Sequence, residues 1–235
     1  MERQHYRIAV LGGTGAQGSG LALRLAAAGH AVTVGSRSAD KAHAAAAELS
    51  LRLAGQTIAG ADNRQAAEGA EIVFLTVPYA VERATVADLQ DRLAGKLLVD
   101  ATVPLVPPKV SVVQLPQGQS AVAAIQQMLG AQVKVVSAFQ NVSAQHLSAL
   151  GHDVDCDVLV CGDDCAACDT VIGLCADIGT RGIYAGTIAN SAAAEALTSV
   201  LIAINRRYKV AGGAGIRITG LPGAKIVTGH PPPSS

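Results

Sequence analysis

Residues 10–25, VLGGTGAQGSGLALRL, place Gly12, Gly13, Gly15 and Gly18 between an apolar run and a Leu/Ala-rich run. Glycine loses more freedom on ordering than any other residue, so such a cluster marks a place where something approaches the main chain. Gly13-Thr14-Gly15-Ala16-Gln17-Gly18 fits G-x-G-x-x-G, behind a strand pattern and at the opening of a helix. In that context the motif holds a dinucleotide. Gly13 is expected to permit the tight turn, Gly15 to admit a pyrophosphate to the backbone, and Gly18 to let helix and strand pack closely. The helix N-terminus then offers unpaired N–H groups and a positive dipole end to the phosphates. An NAD site carries Asp or Glu about 20 residues further on, for the ribose 2′-OH. Here that stretch reads Val34-Gly35-Ser36-Arg37-Ser38, with Lys41 one turn later. Ser36 can donate to a phosphate oxygen, Arg37 offers a planar fork suited to phosphate, and no acid repels a 2′-phosphate. These residues predict NADP(H).

Other reactive side chains point less clearly. Cysteines stand at 156, 161, 165, 168 and 175. Cys165 and Cys168 have metal-ligand spacing, but no second pair or His-x3-His follows to complete a zinc site. They are expected to pack as small apolar groups, with no disulfide framework and no metal. No Ser–Tyr–Lys array or single His–Asp pair stands out, and of the histidines only His146 and His152 fall near a site.

The elements that would position these residues alternate. Strands are predicted at 7–12, 31–37, 57–61, 70–78, 96–102 and 133–140, and helices at 19–30, 38–53, 63–69, 81–93 and 120–130. Ser38 can cap the second helix. Strict alternation implies parallel pairing with right-handed crossovers. The fold class is therefore α/β, a Rossmann-type doubly wound parallel sheet that 133–140 should finish, with a small C-terminal α/β extension. A proline-rich loop occupies 103–120. Strands at 156–164 and 181–186 and helices at 166–178 and 191–209 follow. The last helix is apolar nearly all round at its centre, as in a core or a subunit interface. Residues 1–141 would form the NADP-binding domain and 142–221 the extension. Residues 222–235 have the composition of a disordered tail.

Composition narrows the function classes. Aromatic residues make up 3% with no Trp, too few for platforms that stack single-stranded nucleic acid. Net charge is zero, yet six Lys or Arg and a single acid, Glu195, lie from Arg181 onward. That asymmetry suits a small acidic ligand better than DNA. The run AAAEALTSVLIAI is too short for a membrane span. With the charged N-terminus MERQHYR, a cytoplasmic protein without membrane or nucleic-acid partners is expected.

The stretches VLGGTGAQGSGLALRLAAAGHAVTVGSR, FLTVP, VVSAF, VLVCGDD and ANSAAAEALTSVLIAIN together resemble the NADPH-dependent reductases of the deazaflavin coenzyme F420. The resemblance runs over about residues 7–221. It implies reversible hydride transfer between NADPH C4 and deazaflavin C5, with both cofactors carrying the reactivity. The protein then holds two flat rings face to face, and no side chain is assigned as catalytic. Matched by motif, Thr14, Ser36, Arg37 and Lys41 resemble the family's phosphate-binding positions. Val77 and Pro78 resemble the wall beside the nicotinamide, and Ala144 the residue whose backbone meets the carboxamide. Gln140 stands where the archaeal pattern has His; its amide can hydrogen-bond a ring atom but cannot protonate one. Asn190 and Ser191 are further pocket candidates. The acidic coenzyme would leave along Arg206, Arg207, Lys209 and Arg217. A homodimer is implied, with 191–205 at its interface. Two other readings stay open: an NADPH-dependent reductase of a flavin, an imine or a ferric chelate, and a non-catalytic NADP(H) sensor.

Overall fold

The computed structural model describes residues 4–117, 120–151 and 153–221; the tail 222–235 and His152 lie outside them. The chain runs β1 (Arg7–Leu11), α1 (Ala16–Ala27), β2 (Ala31–Ser36), α2 (Ala39–Ser50), β3 (Ala59–Asp62), α3 (Asn63–Gly69), β4 (Ile72–Leu75), α4 (Tyr79–Leu93) and β5 (Leu97–Asp100). It continues with α5 (Ala121–Leu129), β6 (Lys134–Ser137), α6 (Ala144–Ser148), β7 (Asp157–Gly162), α7 (Cys165–Asp177), β8 (Arg181–Tyr184) and α8 (Ser191–Tyr208).

Among the described residues the strands form one eight-stranded sheet in the order β3-β2-β1-β4-β5-β6-β7-β8. Pairing is parallel from β3 to β6. The central strands read as continuous apolar runs because helices cover both faces of the sheet. Alternation then sorts them: Ile8, Val10, Ile72 and Phe74 enter one core with Leu21 and Leu25 of α1. Ala9, Leu11, Val73 and Leu75 enter the other with Val86 and Leu89 of α4. Side-chain oxygens of Ser38, Asp62, Ser120 and Asp164 accept first-turn N–H bonds at α2, α3, α5 and α7, which fixes where each helix begins.

Four departures from the sequence reading have physical causes. The sheet does not finish at β6: β7 pairs antiparallel with it, and β8 pairs parallel with β7, so the C-terminal elements prolong the same sheet. Helix α1 begins at Ala16 rather than 19, inside the glycine motif. Strand β4 stops at Leu75, and Thr76–Pro78 leave the sheet before α4 starts directly after Pro78. Helix α6 went unread because its five residues are too short for a periodic pattern. It is held from outside: a Cβ on Gly20 of α1 would lie 2.7 Å from Leu147 Cβ, and the buried Arg24 guanidinium donates to the carbonyls of His146 (2.9 Å), Leu147 (2.9 Å) and Ile178 (2.8 Å).

Candidate functional site

Strand order reverses between β1 and β4, and in an open parallel sheet that switch point opens a crevice at the carboxyl ends of the strands. The glycine turn after β1 and the Thr76–Pro78 segment after β4 meet there. Gly12 N–H donates to Gly35 O (3.1 Å), which ties the turn to β2. The tight turn falls on Gly12, not Gly13: Gly12 has φ +78°, and a Cβ there would lie 2.9 Å from Thr76 O. Gly13 is required by packing, since its Cβ would lie 2.8 Å from Val10 O and 2.9 Å from Val34 Cγ1. Gly18 is tighter still, 2.5 Å from Thr76 Oγ1.

Gly15 differs from these. Its φ of −84° suits any residue, and a Cβ would meet only Gly12 O at 3.3 Å. The protein's own packing asks little of this position. The absent side chain leaves room on the outer side, toward a ligand. Gly15 is also the N-cap of α1, without a side-chain cap and with no acid in the first turn. The N–H groups of the first turn therefore have no partner in the helix, as a dinucleotide pyrophosphate needs.

A cleft of about 950 Å³ runs over this turn. Thr14, Gly15 and Gln17 line its middle, with Ser36, Arg37 and Lys41 at the β2 end and Val77, Pro78 and Gln140 at the β5 end. Arg37 and Lys41 are exposed, and among the described residues neither forms an ion pair. Two free cations beside Ser36, with no acid lining that end, make a site for a dianionic group. Gln17 Nε2 donates to Phe139 O (2.8 Å), and Gln140 Nε2 donates to Asp100 O (2.7 Å) while its Oε1 meets no donor. The NADP fit is thus carried by an open glycine, an uncapped helix and unpaired cations.

Other expected positions lie outside the lining. Gly13, Ala16 and Gly18 shape the turn from behind. Ala144 opens α6, which packs on α1. Asn190 donates through Nδ2 to Ala185 O (2.8 Å). Ser191 is buried, bonded to Ile188 O (2.6 Å) and to Ser120 Oγ (2.6 Å). His146 meets Gly213 O (3.1 Å). Arg206, Arg207, Lys209 and Arg217 do not line the cleft, and Arg217 pairs with Asp155 (2.9 Å) and Asp157 (3.4 Å). Burial pushes the thiol of Cys161 up to about 11 and those of Cys168 and Cys175 up to about 12, which makes them poor ligands and nucleophiles at neutral pH.

The cleft has walls that motif reading missed. Asn63, Thr76 and Ala101–Val103 follow the ends of β3, β4 and β5, so the crevice rule applied to every strand end would have found them. Tyr79 and Thr85 come from the start of α4, and Thr198 from α8. No local pattern marks Thr198; only the tertiary fold brings α8 over Gln140, whose carbonyl accepts from Thr198 Oγ1 (2.9 Å).

The family model of the coenzyme F420-dependent NADP oxidoreductases matches residues 7–104. The F420-dependent NADP reductase of Methanothermobacter thermautotrophicus is 41% identical over 224 residues, covering 92% of this chain and 96% of the relative. That of Methanocaldococcus jannaschii is 42% identical over 223 residues, covering 92% and 99%. A structure from Arthrobacter sp. FB24, solved under the name of an F420-dependent NADP reductase, superposes with a TM-score of 0.73 at 31% identity, covering 88% of this chain and 96% of that one. With that identity running the length of both chains, and the same fold, this chain belongs to the F420-dependent NADP reductase family.

Proposed function

We propose that the chain catalyses reversible hydride transfer between NADP(H) and the deazaflavin coenzyme F420, in the cleft over the α1 N-terminus. One observation carries the cofactor choice: an uncapped helix N-terminus with an open Gly15, flanked by Ser36, Arg37 and Lys41 and by no lining acid. The pyrophosphate lies on the first-turn N–H groups of α1, and the 2′-phosphate on Arg37, Lys41 and Ser36. The nicotinamide end then reaches Val77, Pro78 and Gln140. The bound cofactors supply a donor and an acceptor of hydride. The chain's task is to hold the reacting faces together, an effect of orientation. Gln140 offers an amide oxygen to a ligand N–H, and Val77 and Pro78 keep water from one face. Residues 1–141 carry the dinucleotide, and 142–221 supply the acceptor side through Val142 and Thr198.

Two chains associate through α8. Val200, Ile204 and Tyr208 are exposed large apolar side chains on that helix, spaced to form one stripe. The loop carrying exposed Val112 and Val113 is tied to it by Arg206 Nη1 donating to Ser111 Oγ (3.0 Å). Residues 188–208 are long and apolar enough to cross a bilayer, yet Glu195 of this helix caps α5 through Ala121 N–H (2.8 Å). We assign the helix to packing and the protein to the cytoplasm, without membrane or nucleic-acid partners.

Purified protein with NADPH is assayed against oxidised F420, riboflavin, a cyclic imine and a ferric chelate. Bleaching of the deazaflavin absorbance matched mole for mole by NADPH loss is expected. Turnover of another acceptor alone, or of none, overturns the assignment. Light scattering is expected to give twice the chain mass, and Ile204→Glu to give the monomer.

A further inference from the structure

Three carboxyl groups are buried near the β5 end of the cleft: Glu82 on α4 (2% exposed), Asp100 ending β5 (0%) and Glu195 on α8 (1%). Among the described residues none of them forms an ion pair. Glu195 is answered within the fold. It accepts from Ser120 Oγ (2.7 Å), Ala121 N–H (2.8 Å) and Val122 N–H (3.2 Å) at the positive end of α5.

Glu82 and Asp100 have no such answer. Their carboxyls stand within hydrogen-bonding reach of each other, with the Thr102 hydroxyl beside both. Asp100 Oδ1 accepts from Thr102 N–H (2.9 Å), and beyond that the pair is left with the Thr102 hydroxyl and its own shared proton. Two buried carboxyls this close share a proton rather than ionise together. Burial first, then the Asp100 charge, pushes Glu82 up to about 10. Burial raises Asp100 as well, against Thr102 N–H, the Thr102 hydroxyl and the Glu82 carboxyl, which lower it. Glu82 is thus the carboxyl that keeps its proton, and Asp100 the one placed to carry a charge when a cation comes to the cleft wall. The other titratable groups facing the pair are the Tyr79 phenol, raised by burial and then by Glu82 and Glu195, and Glu195 itself. No cation is among them.

The pair lies directly behind the cleft wall, because Ala101, Thr102 and Val103 follow Asp100 and line it. Gln140 (5% exposed) lines it too and holds a buried amide oxygen, Oε1, without a hydrogen-bond partner. A buried amide oxygen without a donor, in front of a buried carboxyl pair with no cation beside it, suits a ligand group that carries N–H donors and a positive charge. A carboxamide-bearing pyridinium has both. Its dihydro form keeps the amide and loses the charge.

We propose that the Glu82–Asp100 pair is the counter-charge for the oxidised nicotinamide ring, so that this cleft prefers NADP⁺ to NADPH and favours departure of hydride from the dinucleotide. The pair acts across Thr102 without touching the ring, as a charge-positioning element. This rests on the placement of NADP(H) given above.

Calorimetric titration of NADP⁺ and NADPH into wild-type protein, Glu82→Gln, and Glu82→Gln/Asp100→Asn tests it. Glutamine still donates to Asp100 and leaves that carboxyl to answer the ring cation, so Glu82→Gln is expected to hold the ratio of the two affinities within about twofold. The double variant removes the charge. NADP⁺ binding is expected to weaken on the order of tenfold, the scale for a buried unit charge facing a cation at an effective dielectric near 20, with NADPH changing less than twofold. Equal changes for both forms, or none for either, overturn the counter-charge while leaving the cofactor site intact. Failure of wild-type protein to bind either form overturns the cofactor site itself. Should the double variant not fold, the wild-type protein is titrated with the nicotinic-acid analogue of NADP⁺, whose ring carries a carboxylate. Binding at least tenfold weaker than NADP⁺ is expected, and equal binding overturns the proposal.

Discussion

Replacing Arg37 by Ala isolates the contact that selects the phosphorylated dinucleotide. Arg37 is exposed at the β2 end of the cleft and has no ion pair among the described residues. Its loss leaves the fold intact, and stability should move by no more than about 0.5 kcal/mol. A charge-assisted hydrogen bond to phosphate contributes ~1.5–3 kcal/mol, so NADPH binding is expected to weaken roughly 10- to 150-fold. Lys41 stays behind as a second cation and holds the loss toward the lower figure. NADH lacks the 2′-phosphate and should bind the two proteins alike. The assay is titration of NADPH and NADH, by fluorescence or calorimetry, at low and high salt. The salt dependence of NADPH binding should also become shallower in the variant. A loss of less than about threefold for NADPH, or an equal loss for NADH, refutes the placement of the 2′-phosphate.

Three further outcomes follow from the geometry. Gly15→Ala should fold normally, since its Cβ meets only Gly12 O at 3.3 Å, yet bind NADPH at least tenfold more weakly; Gly18→Ala, 2.5 Å from Thr76 Oγ1, should instead lower the melting temperature, and thermal melts with titrations separate the two. Glu195→Ala strips the acceptor from Ala121 and Val122 N–H, and at about 1–3 kcal/mol per buried unpaired group chemical denaturation should show a loss of roughly 2–6 kcal/mol. Stability should also fall at both ends of the pH range. Burial raises the Asp157 carboxyl, but Arg181, Ile218 N–H and Arg217 outweigh it and hold the carboxyl below its ordinary value. Its stabilisation is present above about 3.9 and is lost as pH falls further, so Asp157→Asn flattens the acid limb. Glu82 behaves oppositely: its contribution is full below about 4.3 and is lost as pH rises toward about 10, so Glu82→Gln flattens the alkaline limb of melting curves taken from pH 6 to 10.

The parts legible in the sequence were those written by local physics. The glycine turn, the strand–helix alternation and the Ser36–Arg37–Lys41 group are short-range signals, and the structure brings them to one crevice. Even there the division of labour among glycines was misread. Which of Gly12 and Gly13 turns the chain depends on where Thr76 and Val34 sit, and both come from other strands. The antiparallel return of β7 was hidden because nothing in Asp157–Gly162 distinguishes one strand direction from the other. Helix α8 looked apolar all round, yet Leu201 is buried while Val200 and Ile204 stay open. Periodicity identifies an apolar stripe but not its partner. The Glu82–Asp100 pair was invisible for the same reason: 17 residues lie between the two in sequence, and only the crossover from α4 to β5 joins them.

The central claim is direct passage of hydride between the two cofactors in this cleft. NADPH deuterated at C4 is mixed with the protein and oxidised F420 in ordinary water, and the reduced deazaflavin is examined by mass spectrometry and proton NMR. Deuterium appearing at C5, from one diastereomer of the labelled NADPH only, is the result this structure requires. Reduced product carrying only solvent hydrogen at C5, or no reduction at all, contradicts it.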